Sequence, residues 1–367
     1  MKSIFGDSVQ VCLFGESHSP AMGVVINGLA PGIQLDLDFL DRQLDKRRPK
    51  GRISTQRHET DQVRFLSGLF NGRTTGTPLC MVIENSAQKS GDYEKTRHLL
   101  RPSHADYTAQ LKYLGCQDYR GGGHFSGRLT APIVAAGAVA LQILRSKGVL
   151  IGTHIQSLYG IPDSPFSQEE AELERQLDLL DEVAFPVLNP QAGERMRQAV
   201  EEAAAEGDSL GGVLETAVLH FPGGIGEPFF CSVESRLSQL LYSIPAVKGV
   251  EFGAGFGIAA MKGSDANDEF ITDGKTVRTT TSSNGGINGG ITNGMPLLFR
   301  CAVKPTPSIY KPQQTVDLAA MENAELIIQG RHDPAIIHRA RVVADSMTAL
   351  ALLDLCAERF GYLWMGG

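Results

Sequence analysis

The residues best equipped for chemistry fall between Arg101 and Arg128, in RPSHADYTAQLKYLGCQDYRGGGHFSGR. This stretch gathers His104, Arg120, a Gly121-Gly122-Gly123 triplet, His124, Ser126 and Arg128. Glycines let the backbone come close to a ligand and turn amide N–H groups toward it, while the hydroxyl and the fixed positive charges add polar contacts. The pattern is that of an anion pocket. The apolar run from Pro132 reads as helical, which sets the glycines just ahead of a helix N-terminus. A glycine turn holding no ligand is the plain alternative. A phosphate-binding P-loop fits poorly. Gly122, Gly127 and Arg128 approach its spacing, but arginine stands for lysine and Leu129 for the metal-binding Ser or Thr, and no strongly apolar strand leads in.

A second concentration of charge lies in DKRRPKGRISTQRHETD, where Lys46, Arg47, Arg48, Lys50, Arg52 and Arg57 occur with no acid between them. The chain as a whole has a formal charge of −7, which argues against nucleic acid as its main partner. A local basic patch on an acidic protein matches a small anionic ligand, with a solvated charge run as the alternative. Pro49, Gly51, Ser54 and Thr55 mark a loop, and loops on rigid scaffolds often carry binding groups. Two more histidines stand in connections: His18 in FGESHSPAMG, and His332 in GRHDP between Arg331 and Asp333. For Asp333 the simplest role is to cap the helix that follows.

Elements of both kinds must position these groups. Residues 8–14 and 22–28 read as strands flanking the His18 connection, and LDLDFLDRQLDKR has helical spacing with acids early and bases late. Residues 77–84 read as a strand, 104–114 as a helix, 132–147 as a buried helix begun by proline, and VLIGTHI as a strand. From Ser164 to Gly207 the chain is most polar and holds two acidic amphipathic helices, expected as a peripheral pair with little chemistry. Strand GVLETAVLHF, helix SVESRLSQLLYSI, strand MPLLFRCAVKPTPSI and a long apolar-striped helix from Pro334 follow, punctuated by the tracts FPGGIGEP and SSNGGINGGITNG. There is no regular parallel βαβ rhythm and no GxGxxG after a strand, which argues against a dinucleotide fold.

With 367 residues and 42% hydrophobic content the chain can bury a large core. No apolar run reads as long enough to span a bilayer, and MKSIFGDSVQVCLFGESHS has neither a signal-peptide core nor a cleavage site. A cytoplasmic location without membrane contact is therefore expected. The six cysteines are scattered, none in a CxxC pair, which fits reduced thiols better than disulfides or a zinc site.

Several segments follow one another as they do in a single family: FGESHS, the KRRP and TQRHETD loop, RPSHADYT, the glycine loop before AAGA, SIPAVKG, GGINGGITNG, VKPTPSI and GRHDP. On these motifs the chain resembles chorismate synthase from its start to its last helix, least between about Tyr159 and Gly207. The resemblance implies an α+β fold: a β-α-β sandwich with mainly antiparallel sheets enclosing a helical layer. Residues 1–367 would form a single catalytic domain, and four copies a homotetramer. It implies a carbon-oxygen lyase of the shikimate pathway, serving aromatic amino acid biosynthesis. The reaction is an anti 1,4-elimination that takes phosphate from C3 and a hydrogen from C6 of 5-enolpyruvylshikimate 3-phosphate to give chorismate. Reduced FMN (FMNH2) would be required without net redox change, because it can lend electron density and accept a proton near N5. No spare domain or long insertion reads as a flavin reductase, so an external flavin reductant is expected, and NADPH with FMN alone would drive turnover poorly.

By matched position, His18 would serve as general acid near the leaving phosphate and His104 would stabilise or protonate the reduced flavin around N1. Arg47 and Arg52, assisted by Arg48 and Arg128, would bind the substrate anions; Asp333 would lie close to N5 and help remove the proton. Flavin contacts would come from His124, Phe125, Ser126, Pro245, Ala246 and Gly289. Lys304, Pro305, Thr306, Pro307, Ser308 and Arg331 would complete them, with Lys304 and Thr306 at the FMN phosphate. The chain departs from the family in GGGHFSGRLTA, where many relatives read GGGRSSARETA: His124, Phe125 and Leu129 replace arginine, serine and glutamate. Ser19 likewise replaces the glycine of FGESHG. Two competing readings have their own signatures. A flavin-dependent oxidoreductase would transfer a net hydride, and an RNA-binding protein using residues 46–57 would bind RNA in a salt-dependent way without flavin affinity.

Overall fold

Two apolar helices, Thr130–Ser146 and Ile337–Phe360, form the centre of the molecule. The computed structural model describes residues 3–49, 53, 61–85, 97–328, 330 and 332–366. Every residue from Thr130 to Leu141 in the first helix, and from Ala340 to Ala357 in the second, is buried, so neither has the polar face of a surface helix. The two cross where Gly137 meets Ser346. A Cβ on Gly137 would stand 2.1 Å from the Ser346 Cβ, so the close approach requires glycine.

An antiparallel sheet covers each side of this pair. The first runs in the order Ile4–Phe5, Gln10–Gly15, Ala21–Asn27, Leu79–Glu84, Val63–Ser67, and packs on the Thr130–Ser146 helix. The second runs Val247–Phe252, Leu297–Val303, Gly212–Leu219, Leu150–Leu158, Ile161–Pro162, and packs on the Ile337–Phe360 helix. Period-two alternation sends Leu297, Phe299, Cys301 and Val303 into the core. In Gly212–Leu219, Leu214 and Val218 join the main core, whereas Ala217 and Leu219 join a separate cluster with Leu173, Leu177 and Leu180. The acidic helix Glu170–Glu182 therefore covers the outer face of the second sheet. The architecture is an α+β sandwich with the helical layer inside.

Two expectations need amending. The stretch Gly127–Ser146 is 20 residues long with a mean hydropathy of 1.5, so an apolar run long enough to cross a membrane does exist; it is 83% buried within the protein, as a core helix is. The last helix begins at Ile337 rather than Pro334, and its stripe is absent because its polar residues are buried against partners. Asp354 accepts N–H groups from Asp7 (3.1 Å), Ser8 (2.8 Å) and Val9 (2.8 Å), and Arg236 Nη2 at 3.0 Å. Arg341 donates to the carbonyls of Leu180 (2.7 Å) and Val183 (2.9 Å), meeting acceptors left open at the end of the acidic helix.

Candidate active site

A cavity of about 800 Å³ lies where the glycine loop, the start of the Thr130–Ser146 helix, the entrance to the last helix and the 242–248 and 304–308 loops meet. Gly121, Gly122 and Gly123 have φ values of 59°, 88° and 54°, all in the left-handed region that favours glycine. Only Gly122 is open to a ligand, its nearest neighbours to an added Cβ being Ser126 Cβ at 3.9 Å and Arg101 Nη2 at 4.0 Å. At Gly121 a Cβ would lie 2.3 Å from His18 Cε1, and at Gly123 2.2 Å from the Asp118 carbonyl oxygen. Two of the three glycines therefore accommodate the protein itself. His18 abuts Gly121, which lines the cavity, although the imidazole is not part of the wall.

The turn carrying His18 is clasped to this loop. Ser17 N–H donates to the Gly123 carbonyl at 3.0 Å, and His124 Nδ1 donates to the Gly15 carbonyl at 2.7 Å, which fixes the proton on that nitrogen. Ser19 Oγ accepts the Glu16 N–H at 3.0 Å and lies 2.7 Å from the Ala21 carbonyl, so the residue that replaces a family glycine closes the turn. Leu129 is buried with Met22, Ile83 and Ala131, an apolar setting where a glutamate would be costly. Phe125 lines the cavity and packs edge-on to Tyr113, while Ser126 Oγ accepts the Arg128 N–H at 3.2 Å.

His104 lines the cavity with its Nδ1–H on the Pro102 carbonyl (3.0 Å) and its Nε2 2.9 Å from Ser308 Oγ. Burial, then the Arg101 charge, push its pKa down to about 4 despite the Pro102 bond. These surroundings hold it as a neutral imidazole at neutral pH, its pKa well below the titration range of free histidine.

Cationic groups line the same cavity. Arg47 and Arg128 line the cavity, and the carboxylate of Asp61 joins them, Oδ2 accepting from Arg47 Nη1 at 3.1 Å and Oδ1 from Arg128 Nη1. Asp333 also lines it and is bonded to Arg339 Nη1 at 2.6 Å; Arg339 Nε in turn donates to the Arg47 carbonyl at 2.7 Å. Asp333 is no helix cap: the N-cap is Ile336, without a side-chain bond. Arg48 faces elsewhere, onto a separate cavity of about 530 Å³, paired with Asp45 at 3.5 Å. Arg52 and Arg331 lie outside the described residues. Asp61, Arg101 and Arg339 are polar groups at the site that sequence reasoning passed over. An acid closing a basic run, and an arginine six residues after Asp333 on a helix, were the available signals.

Pro245, Ala246, Lys304, Thr306, Pro307 and Ser308 also line the cavity; Gly289 and Pro305 do not belong to its wall. Ala246 adopts φ 78°, a strained conformation for an L residue, and its carbonyl accepts the Lys304 N–H at 2.9 Å. Lys304 Nζ donates to the Ser103 carbonyl at 2.7 Å, and burial, then Lys248, lower its pKa. Thr306 Oγ1 is buried and, among the described residues, has no hydrogen-bond partner. A lysine, an orphaned hydroxyl and the open face at Gly122, set against apolar Ile133, Ile244 and Val343, fit a flat ring carrying a phosphate.

The chain is similar to known proteins over nearly its whole length. A chorismate synthase of Aeropyrum pernix is 45% identical over 354 residues, covering 96% of this chain and 92% of that one. A chorismate synthase of Dehalococcoides mccartyi is 44% identical over 359 residues, covering 97% and 96%. A crystal structure of chorismate synthase superposes with a TM-score of 0.77 at 26% identity, covering 97% of this chain and 94% of that one. The chorismate synthase family model matches residues 9–357, and the chain belongs to that family.

Proposed function

We propose that the protein converts 5-enolpyruvylshikimate 3-phosphate to chorismate and phosphate by anti 1,4-elimination, as a lyase of aromatic biosynthesis. The observation that carries this reading is one cavity in which Arg47, Arg128 and Arg339 stand beside a neutral imidazole and the Asp333 carboxylate. Arg47 and Arg128 hold the substrate anions, with fixed guanidinium donors where phosphate leaves. His18, packed on Gly121, gives a proton to the departing phosphate as the C3–O bond breaks. Asp333, oriented by Arg339, helps take the proton from C6 as the new double bond forms.

Lys304 and Thr306 hold the phosphate of FMN, and Pro245, Ala246, His124, Phe125 and Ser126 enclose its ring; reduced FMN supplies electron density to the allylic system when bound. Arg52 joins Arg47 in binding the substrate anions, Gly289, Pro305 and Arg331 are secondary members of the flavin set, and Arg48 supports from outside the cavity. His104 would stabilise or protonate the reduced flavin around N1, with Ser308 on Nε2 and Pro102 on Nδ1 holding its ring in place.

Reduced flavin comes from an external reductant, and NADPH with FMN alone supports slow turnover. Residues 1–367 act as one catalytic unit, a reading supported by a main core that includes both sheets and both central helices. The functional unit is a homotetramer. Phe229, Phe230 and Phe256, 85%, 93% and 87% exposed, are large apolar groups suited to cover by other copies. Six free thiols fit a reducing cytoplasm. The test is anaerobic incubation with chemically reduced FMN and 5-enolpyruvylshikimate 3-phosphate. Chorismate and phosphate should appear in equal amounts, and oxidised FMN should give none; turnover in air with oxidised FMN and no reductant would overturn the reading.

A further inference from the structure

We propose that Asp61 is a positioning residue for substrate binding, its carboxylate setting Arg47 and Arg128 at a fixed separation in the cavity wall. This rests on the assignment of those two arginines to the substrate anions. The Asp61 side chain is 0% exposed and lies outside the wall that its partners line. Its two oxygens go to different guanidiniums, 3.1 Å to Arg47 Nη1 and a close contact to Arg128 Nη1. A carboxylate engaged by one arginine tends to take both oxygens to it; one oxygen on each of two makes a spacer.

The three residues come from three elements. Arg47 ends the helix Leu37–Arg47, Arg128 lies in the turn before the core helix, and Asp61 stands two residues ahead of the strand Val63–Ser67. Arg47 is fixed further by Thr130 Oγ1 on its Nε at 3.0 Å, and that hydroxyl donates to the Gly127 carbonyl at 2.6 Å. Both arginines are thereby referenced to the same turn. A carboxylate between two guanidiniums reduces their mutual repulsion and so lets them stand close together. The backbone at Asp61 has φ 42°, a left-handed conformation unfavourable for most L residues, at the point where its side chain meets the arginines.

The experiment is steady-state and single-turnover kinetics of Asp61→Asn and Asp61→Glu in the full chain with reduced FMN, beside measurement of reduced-FMN affinity. Asn keeps the shape and loses the charge. Glu keeps the charge, so Arg47 stays paired and folding is protected, but its extra methylene shifts both guanidiniums. The expected result is a KM for 5-enolpyruvylshikimate 3-phosphate raised roughly tenfold or more in both variants, with reduced-FMN affinity unchanged. In an Arg128→Ala background the Asp61→Glu effect should shrink, because Asp61 acts through that arginine. A folded Asp61→Glu with wild-type KM, whatever its melting temperature, overturns the positioning role, as does an undiminished effect in the Arg128→Ala background. If Arg128→Ala alone raises KM and the Asp61 variants do not, only the positioning role fails. If Arg128→Ala leaves KM unchanged, the substrate assignment fails with it.

Discussion

On the proposed mechanism two histidines divide the work, and their surroundings differ in a way that suits separate roles. His104 is held neutral by burial and by Arg101, with both ring nitrogens engaged, whereas His18 rests on the glycine loop. We expect His18→Ala to keep reduced-FMN affinity and lose about 10²- to 10⁴-fold in rate, the usual cost of removing a positioned acid. His104→Ala should also alter the spectrum or affinity of bound reduced flavin. Anaerobic single-turnover kinetics with flavin absorbance separates the two, and near-normal turnover by His18→Ala would remove it from the mechanism. Gly121→Ala supplies an independent check, since a Cβ 2.3 Å from His18 Cε1 must displace the imidazole. It should reproduce the rate loss of His18→Ala; full activity in a folded Gly121→Ala would mean that His18 needs no fixed place. Residue types at the site were legible from the sequence, but their pairings were not. Nothing in the basic run shows that Arg47 turns inward to Asp61 while neighbouring Arg48 turns to a different cavity, because consecutive side chains at a helix end diverge by geometry that only the fold fixes.

Most of the framework at the scale of elements is visible in periodicity, and the misreadings share a cause. The strands at 10–15, 21–27, 79–84 and 212–219 and the helix at 130–146 fall close to where apolar spacing puts them. The last helix reads as striped because charged Arg341, Asp345 and Asp354 interrupt its apolar run. Each is buried, and the partners lie far off in sequence: Asp354 binds residues 7–9, and Asp345 accepts the Thr153 hydroxyl at 2.6 Å. A local window cannot register a bond made across the molecule. The crossing of the two central helices depends on one hydrogen atom in place of a methyl. Gly137→Ala would bring Cβ to 2.1 Å from Ser346 Cβ and 2.5 Å from its Cα, so backbone must shift. We expect a loss of about 1–3 kcal/mol or more, the range for overpacking a close-packed core. Denaturant titration measures it, and an unchanged midpoint would show that the crossing has slack. The loss should shrink if Ser346→Gly is added, since the clash partner is then gone.

Buried titratable groups with opposed signs should shape the response of the whole molecule to acid; burial pushes the Asp345 carboxyl up to about 6, and two histidines run the other way. His338, on the central helix and stacked near Phe185, is pushed down to about 3 by burial and then by Arg339 and Arg341. His104 is pushed down to about 4. In each case the unfolded chain, titrating near 6.5, binds a proton that the folded chain refuses, so stability is fully present above 6.5 and is lost as pH falls toward the folded value. His154 runs the other way. Burial lowers its pKa, but the hydrogen bonds to Asp163 (2.9 Å) and Glu215 (3.1 Å) more than offset that and raise it, so its contribution is complete below 6.5 and fades as pH rises through the folded value. Between pH 7 and pH 5 the His338 term alone should remove about 2 kcal/mol, larger than any exposed pair contributes. His338→Gln should therefore lose about 2 kcal/mol less than the wild type over that interval, whatever its stability at pH 7. His154→Gln should lose more than the wild type, because the group that favours the folded state in acid is gone. Guanidinium titrations of the three proteins at both pH values, without ligand, read these differences directly. Equal pH 7 to pH 5 losses in wild type and His338→Gln would show that the imidazole accepts a proton in the folded state, and that the seam between the central helix and the segment around Phe185 opens to water before the molecule unfolds.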